Sequence, residues 1–303
     1  MAEALHLGSE GKAYATHELG ADMKHAPETN APALVGDRIL DEIVLPLSFS
    51  RTDDRITGIA VRLALHWGIP IHLVNVSDSI DPTDHQLDSF ASDLKHRHAD
   101  LTVRQTHVYG HDIATGISDT VQAHSLLVMA TDHADEWKVK GSIAEKVLFH
   151  AGVPVLFFGP NATTLDLDGD VVIGLDGSLS AEAALGPAIG LSQGLNTQLW
   201  LVQVVDNVGG DIDTDVATYI QDQAAMVEGP GIHGWELIHS NDPVTALESF
   251  ANARNAGFLV AGARGRTDPH RKTMGSITMG LVATAARPVL TLAVSEPEFS
   301  GGS

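Results

Sequence analysis

The sequence predicts an α/β protein of two tandem domains, each an open five-stranded parallel sheet with helices on both faces. Three observations carry this. Short β-rich apolar runs alternate with amphipathic helical stretches; the alternation runs through twice in the same order; and three short segments of the first copy match segments of the second. A chain of 303 residues is also of two-domain length.

Residues 1–35 are polar and carry Gly8, Gly11, Gly20, Pro27 and Pro32, so they are expected to form a flexible N-terminal tail. The first domain is expected over 36–162. Its apolar run 43–47 reads as a buried strand, and 52–67 follows with Ile56, Ile59, Ala60, Leu63 and Leu65 at helical spacing until Gly68 and Pro70 stop it. Strands are then expected at 71–76, 101–108, 126–130 and 153–158, with helices at 83–98, 112–124 and 142–150 between them. Residues 161–169 form a polar break and mark the linker. The second domain, 163–298, repeats the order: strands at 171–175, 198–205, 235–239, 258–261 and 289–293, helices at 180–191, 213–226, 242–255 and 276–286. Alternation of this kind implies parallel strands joined by right-handed crossovers.

The internal matches fall in the same order in both halves. Leu45-Pro46-Leu47-Ser48-Phe49-Ser50 resembles Ile173-Gly174-Leu175-Asp176-Gly177-Ser178; Lys140-Gly141-Ser142-Ile143 resembles Met274-Gly275-Ser276-Ile277; and Val153-Pro154-Val155-Leu156 resembles Arg287-Pro288-Val289-Leu290. The last strands, 153–158 and 289–293, are expected at sheet edges, and exposed edges tend to be paired or covered.

Composition excludes several classes. The chain has no cysteine, so it has no disulfide, thiolate metal site or Cys nucleophile. Its net charge of −21 repels nucleic acid and anionic lipid. The first thirty residues hold Glu3, Glu10, Asp22 and Glu28 and no apolar run, unlike a signal peptide, and no later run reaches membrane-spanning length. A cytoplasmic protein is the expectation.

One segment stands against this acidic background. Over 250–294 the basic residues are Arg254, Arg264, Arg266, Arg271, Lys272 and Arg287, and the only acid is Asp268. Within it, Gly262 and Gly265 follow a strand, and Gly275 and Ser276 open a helix. Free N–H groups at a helix start, approached through glycines, suit a phosphate, and the carboxyl ends of strands are where open α/β sheets bind ligands. On composition alone, a solvated surface loop explains the same residues equally well.

Gly262, Gly265, Gly275 and Ser276, with two and nine residues in the first two intervals, resemble the ATP-binding signature of the universal stress protein family. The resemblance spans roughly 38–295 as two copies. It implies a Rossmann-like fold with adenine nucleotide at the carboxyl edge of the second sheet. It further implies that Gly262 lies near the ribose, that Gly265, Gly275, Ser276 and Ile277 meet the phosphates through backbone N–H groups, that Asp176 lies near the adenosine and that Val204 flanks the adenine. Magnesium or manganese would accompany the phosphates, with Asp176 a possible ligand. Arg264 and Arg266 are additional candidates for phosphate contact, or else solvated loop cations. In the family the last strand makes dimer contacts, which implies pairing of the two halves within the chain, or a homodimer.

The first copy departs from the signature. Ser48 stands for Asp176, and Thr131 and Ala134 stand for Gly262 and Gly265; the loop is three residues shorter and carries Asp132, Asp135 and Glu136. Only Gly141-Ser142 survives, so the first domain is expected to bind ATP poorly and to serve a structural or partner-binding role.

No Walker A loop, Gly-x-Gly-x-x-Gly or Gly-x-Ser-x-Gly is present. The pairs His96/His98 and His107/His111 read as surface histidines, the group Asp132, His133 and Asp135 as a weak cation candidate, and Trp67, Trp137, Trp200 and Trp235 as packing residues. The functional expectation is a nucleotide-dependent sensor or switch in stress response, acting on an unknown protein partner. A slow ATPase and a ligand-free scaffold are the alternatives; Asp176 is the only motif-matched carboxylate and reads as a binding group.

Overall fold

A computed structural model describes residues 4–7, 13–18, 34–35, 38–49, 51–77, 85–110, 112–131, 142–162, 165–206, 214–226, 232–265 and 273–294. In the first half, β5 (Glu42–Pro46), α1 (Arg51–Trp67), β6 (Ile71–Ser77), α2 (Gln86–Arg97), β7 (Val103–Tyr109), α3 (Ile113–Thr120), β8 (Ser125–Ala130), α4 (Ile143–Ala151) and β9 (Val155–Phe158) follow in turn. The second half runs β10 (Val171–Gly174), α5 (Leu179–Leu195), β11 (Leu199–Val205), α6 (Thr214–Met226), β12 (Ile232–His239), α7 (Pro243–Ala253), β13 (Phe258–Gly262), α8 (Ser276–Thr284) and β14 (Val289–Leu292). Each predicted strand and helix of the two halves is present.

Each half is a five-stranded parallel sheet, in the order β9-β8-β5-β6-β7 and β12-β11-β10-β13-β14. Both place their first strand at the centre, so the first two crossovers of each half lie on one face and the last two on the other. Strand alternation divides the side chains accordingly. Ile43, Leu45, Ile173, Leu199 and Leu201 face one side, under α1, α2, α5 and α6. Val44, Val172, Trp200 and Val202 face the other, under α3, α4, α7 and α8. Full burial of such a side chain contributes about 1.5–3 kcal/mol, which is why strands covered on both faces read as continuous apolar runs.

The two sheets are one. β14 pairs antiparallel with β9, with Leu290 opposite Leu156, so the predicted edges cover each other. Helices reinforce the junction. The Trp67 indole N–H donates to the Gly194 carbonyl at 3.0 Å and the Arg62 guanidinium to that of Leu165 at 2.8 Å. Gly159 lies so close to α8 that a Cβ there would sit 1.7 Å from the Val282 carbonyl oxygen. Asn161 donates to the carbonyls of Ala283 and Thr284 at the end of the same helix.

The segment read as a flexible tail needs correction in two places. β1 (Ala4–Leu7) and β2 (Ala13–Glu18) form an antiparallel pair, and β2 pairs with β12, extending the sheet to twelve strands. Polar composition hid this because an edge strand needs a neighbour with unpaired backbone groups more than it needs apolar side chains. A further short pair, β3 (Leu34–Val35) and β4 (Arg38–Ile39), precedes β5.

Local signals set the helix starts. Asp112, Ser142, Ser178 and Asp242 each accept a backbone N–H of the first turn of α3, α4, α5 and α7. On α6, burial first, then the carboxylates of Glu182 and Asp176, push the Tyr219 phenol up to about 12.

Three stability tests follow. Gly159→Ala, which forces a methyl against a backbone carbonyl, should cost about 1–3 kcal/mol in urea denaturation. Gly58→Ala, in the middle of α1 with nothing within 4 Å of the added carbon, should stabilise by about 0.5–1 kcal/mol. The Tyr219 shift is upward, so its contribution is complete below the ordinary phenol value near pH 10 and disappears as pH rises through about 12. Alkaline titration of unfolding should therefore show wild type losing stability across that window relative to Tyr219→Phe; parallel curves would contradict it.

Candidate functional site

The carboxyl ends of β10, β11 and β13 open onto a cavity of about 370 Å³. Asp176, Val204, Gly262, Arg264, Gly265, Gly275, Ser276 and Ile277 all line it, so the residues singled out from sequence converge. Leu175, Val202, Asp206, Pro243, Leu247 and Thr278 also line it. Asp206 was findable as the carboxylate directly after a strand. Pro243 and Leu247 carry no local signal, because α7 reaches the cavity only through the packing of its face on β11.

The wall around Asp176 is fixed by short-range bonds. The Asp176 carboxylate accepts the Ser178 N–H at 3.0 Å, across Gly177 in the left-handed region at φ 75°. The Ser178 hydroxyl accepts the Ala181 N–H and donates to the Arg264 carbonyl at 3.1 Å. Ser180 accepts the Arg264 N–H at 3.2 Å and donates to Leu292. The start of α5 is thereby tied to the end of β13. Gly262 is required by this contact: a Cβ would lie 2.5 Å from the Ala181 nitrogen. Thr278 closes the other side by donating to the Gly262 carbonyl at 2.6 Å.

α8 begins differently from its first-half counterpart, α4. Its N-cap is Gly275, at φ −65° and ψ 151°, which supplies no capping side chain. The N–H groups of Ser276, Ile277 and Thr278 form the first turn and have no acceptor within the helix. All three residues line the cavity, so the positive end of the helix dipole faces it. Gly275 itself does not fit the amide role expected for it: its N–H donates to the Ala263 carbonyl at 2.9 Å. Nor is Arg264 a solvated loop cation, since its guanidinium lies 4.7 Å over the Phe149 ring. Arg266 falls outside the described residues.

The first copy contrasts at the matching helix. Ser142, the counterpart of Ser276, is the N-cap of α4 and its hydroxyl accepts the Glu145 N–H at 3.2 Å. The serine hydroxyl there satisfies a first-turn donor that α8 leaves open. Asp132, His133, Ala134, Asp135, Glu136 and Gly141 lie outside the described residues, as do His111 and Trp137. His107 stacks on Tyr109 at 5.6 Å, and the described residues contain no group of three His, Asp or Glu able to hold a metal. Trp67, Trp200 and Trp235 are buried, in keeping with packing. Among the described residues no helix is long and apolar enough to cross a membrane.

Comparison with known proteins agrees with this architecture. A universal stress protein from Archaeoglobus fulgidus superposes with a TM-score of 0.60 at 20% identity, over 83% of this chain and 95% of that one. A putative universal stress protein from Pseudomonas aeruginosa gives 0.58 at 16% identity, over 84% and 93%. The cytoplasmic domain of a prokaryotic cation chloride cotransporter gives 0.51 at 12%, over 84% and 96%. At these identities the likeness is one of fold. No curated protein matches the sequence. The model of the universal stress protein family matches residues 40–158 and again 169–292. With two matches that together span most of its length, the chain belongs to the universal stress protein family and carries that family's domain twice.

Proposed function

We propose that the second half binds ATP in the cavity at the carboxyl ends of β10, β11 and β13, and that the protein acts as a nucleotide-dependent sensor or switch in stress response. The observation that carries this reading is the uncapped first turn of α8 opening onto that cavity. Its volume is in the range of small-molecule sites. The lining also has the polarity an adenine nucleotide needs. Val202, Val204, Pro243 and Leu247 offer apolar surface for a base, while the amides of Ser276, Ile277 and Thr278 offer donors to phosphate. Arg264 adds positive potential nearby, through a guanidinium held on Phe149.

Magnesium or manganese would travel with the phosphates, neutralising part of their charge. Asp176 and Asp206 are the carboxylates at the cavity, and phosphate oxygens and water would complete a coordination sphere. Asp176, which accepts the Ser178 N–H through one oxygen, is read as a binding group, and the sensor is the reading proposed over turnover.

In the first half Ser142 occupies the corresponding donor, so binding at one site per chain is expected. Calorimetric titration with Mg-ATP should give one nucleotide per chain; two would contradict the distinction between the halves. Gly275→Asp separates site from fold. The backbone there already has N-cap geometry, and a Cβ would meet no atom nearer than 3.5 Å. The new carboxylate would cap α8 and repel phosphate, so ATP affinity should fall by at least about tenfold while the melting temperature holds or rises. Unchanged affinity in a folded variant would sink the phosphate assignment.

A further inference from the structure

The loop that leaves β13 and returns to α8 is held at both ends by a helix of the other half. Arg264 follows β13 within two residues, and its guanidinium rests on Phe149 of α4. Met274 immediately precedes the N-cap Gly275, and its N–H donates to the Glu145 carboxylate at 2.8 Å in a buried contact. Glu145 is 6% exposed, an unusual setting for a carboxylate, and lies four residues before Phe149 on one face of α4. Its position is itself fixed, because its own N–H donates to the Ser142 hydroxyl.

The second half does not offer the same two groups in return. By the match of Ser142 to Ser276, the second-half counterparts of Glu145 and Phe149 are Met279 and Ala283, which offer neither a carboxylate nor a ring. The half without the glycine signature thus braces the half that carries it. Ser142, which matches a signature residue, serves here to seat the bracing helix.

We propose that Glu145 is a positioning residue for the cavity of the second half: its carboxylate fixes Met274, and through it the direction in which the first-turn amides of α8 point. The effect on ligand affinity rests on reading that cavity as a phosphate site; the effect on the loop does not. Without an acceptor the Met274 N–H becomes a buried unsatisfied donor, and the start of α8 is free to reorient. Glutamine would keep an acceptor and withdraw a negative charge from beside an anion site.

The full chain is compared as wild type, Glu145→Ala and Glu145→Gln. Hydrogen exchange without ligand should quicken about tenfold at Met274, Gly275 and Met279, whose N–H groups are hydrogen-bonded, in Glu145→Ala, while Glu145→Gln stays within about threefold of wild type and the strand amides are unchanged. Titration should show Glu145→Ala losing about tenfold in affinity for ATP and under about twofold for adenosine, which has no phosphate, with Glu145→Gln restoring ATP affinity. Unchanged exchange at Met274, Gly275 and Met279 in Glu145→Ala would overturn the proposal, as would equal losses for ATP and adenosine. If Glu145→Ala does not fold, Glu145→Met, which removes the acceptor while keeping the length of the side chain, is judged by the same two criteria. Should wild type bind neither ligand, the phosphate reading fails, and the exchange result alone decides whether Glu145 positions the loop.

Discussion

The antiparallel pairing of β9 with β14 is the contact on which the remaining architecture depends. Two parallel sheets that each end in a short, apolar last strand expose a row of unpaired backbone groups, and joining those rows satisfies both at once. The joint also decides what each half can touch. It brings Gly159 against the backbone of α8, α1 against the end of α5, and α4 against the loop after β13. α5 is buried around much of its circumference, packed on β10, β13 and β14 and also against β3, with small residues such as Ala184, Ala188 and Gly190 along it.

Duplication followed by divergence is visible here as a change in how one helix is capped. In the first half a serine side chain completes the start of α4, a local solution that favours the helix itself. In the second half glycine takes the N-cap position, the helix start is left unsatisfied, and the cavity lies in front of it. The two states are physically opposed, since a donor bonded to its own cap is withheld from a ligand. A helix end of this kind sacrifices a small amount of local stability, which the apolar contacts of Leu281 and Val282 beneath it offset.

The glycines of the signature separate into distinct physical classes. Gly262 is demanded by packing, because backbone of α5 occupies the space a side chain would need. Gly275 has room for a side chain and ordinary dihedral angles, so its significance lies in the cap it does not provide. Sequence reading treats such glycines alike, as points where backbone approaches a ligand. The structure distinguishes them because steric demand is a property of the neighbours.

The alternation of strands and helices was legible from sequence because its causes are local: β-rich apolar runs for strands buried on both faces, 3.6-residue spacing for helices, and serine or aspartate at helix starts. The convergence of Asp176, Val204 and the 262–277 segment was legible too, since strand ends and a glycine pattern mark them along the chain. Tertiary structure alone decided what depends on distant partners. Tyr14 and Thr16 lie in a strand only because β12 offers it an edge; Pro243 and Leu247 reach the cavity only because α7 packs beside β11; and Glu145 meets Met274 only because two sheets join. Spacing along a chain encodes local geometry, whereas a hydrogen bond across 129 positions exists only once the fold has brought its partners together.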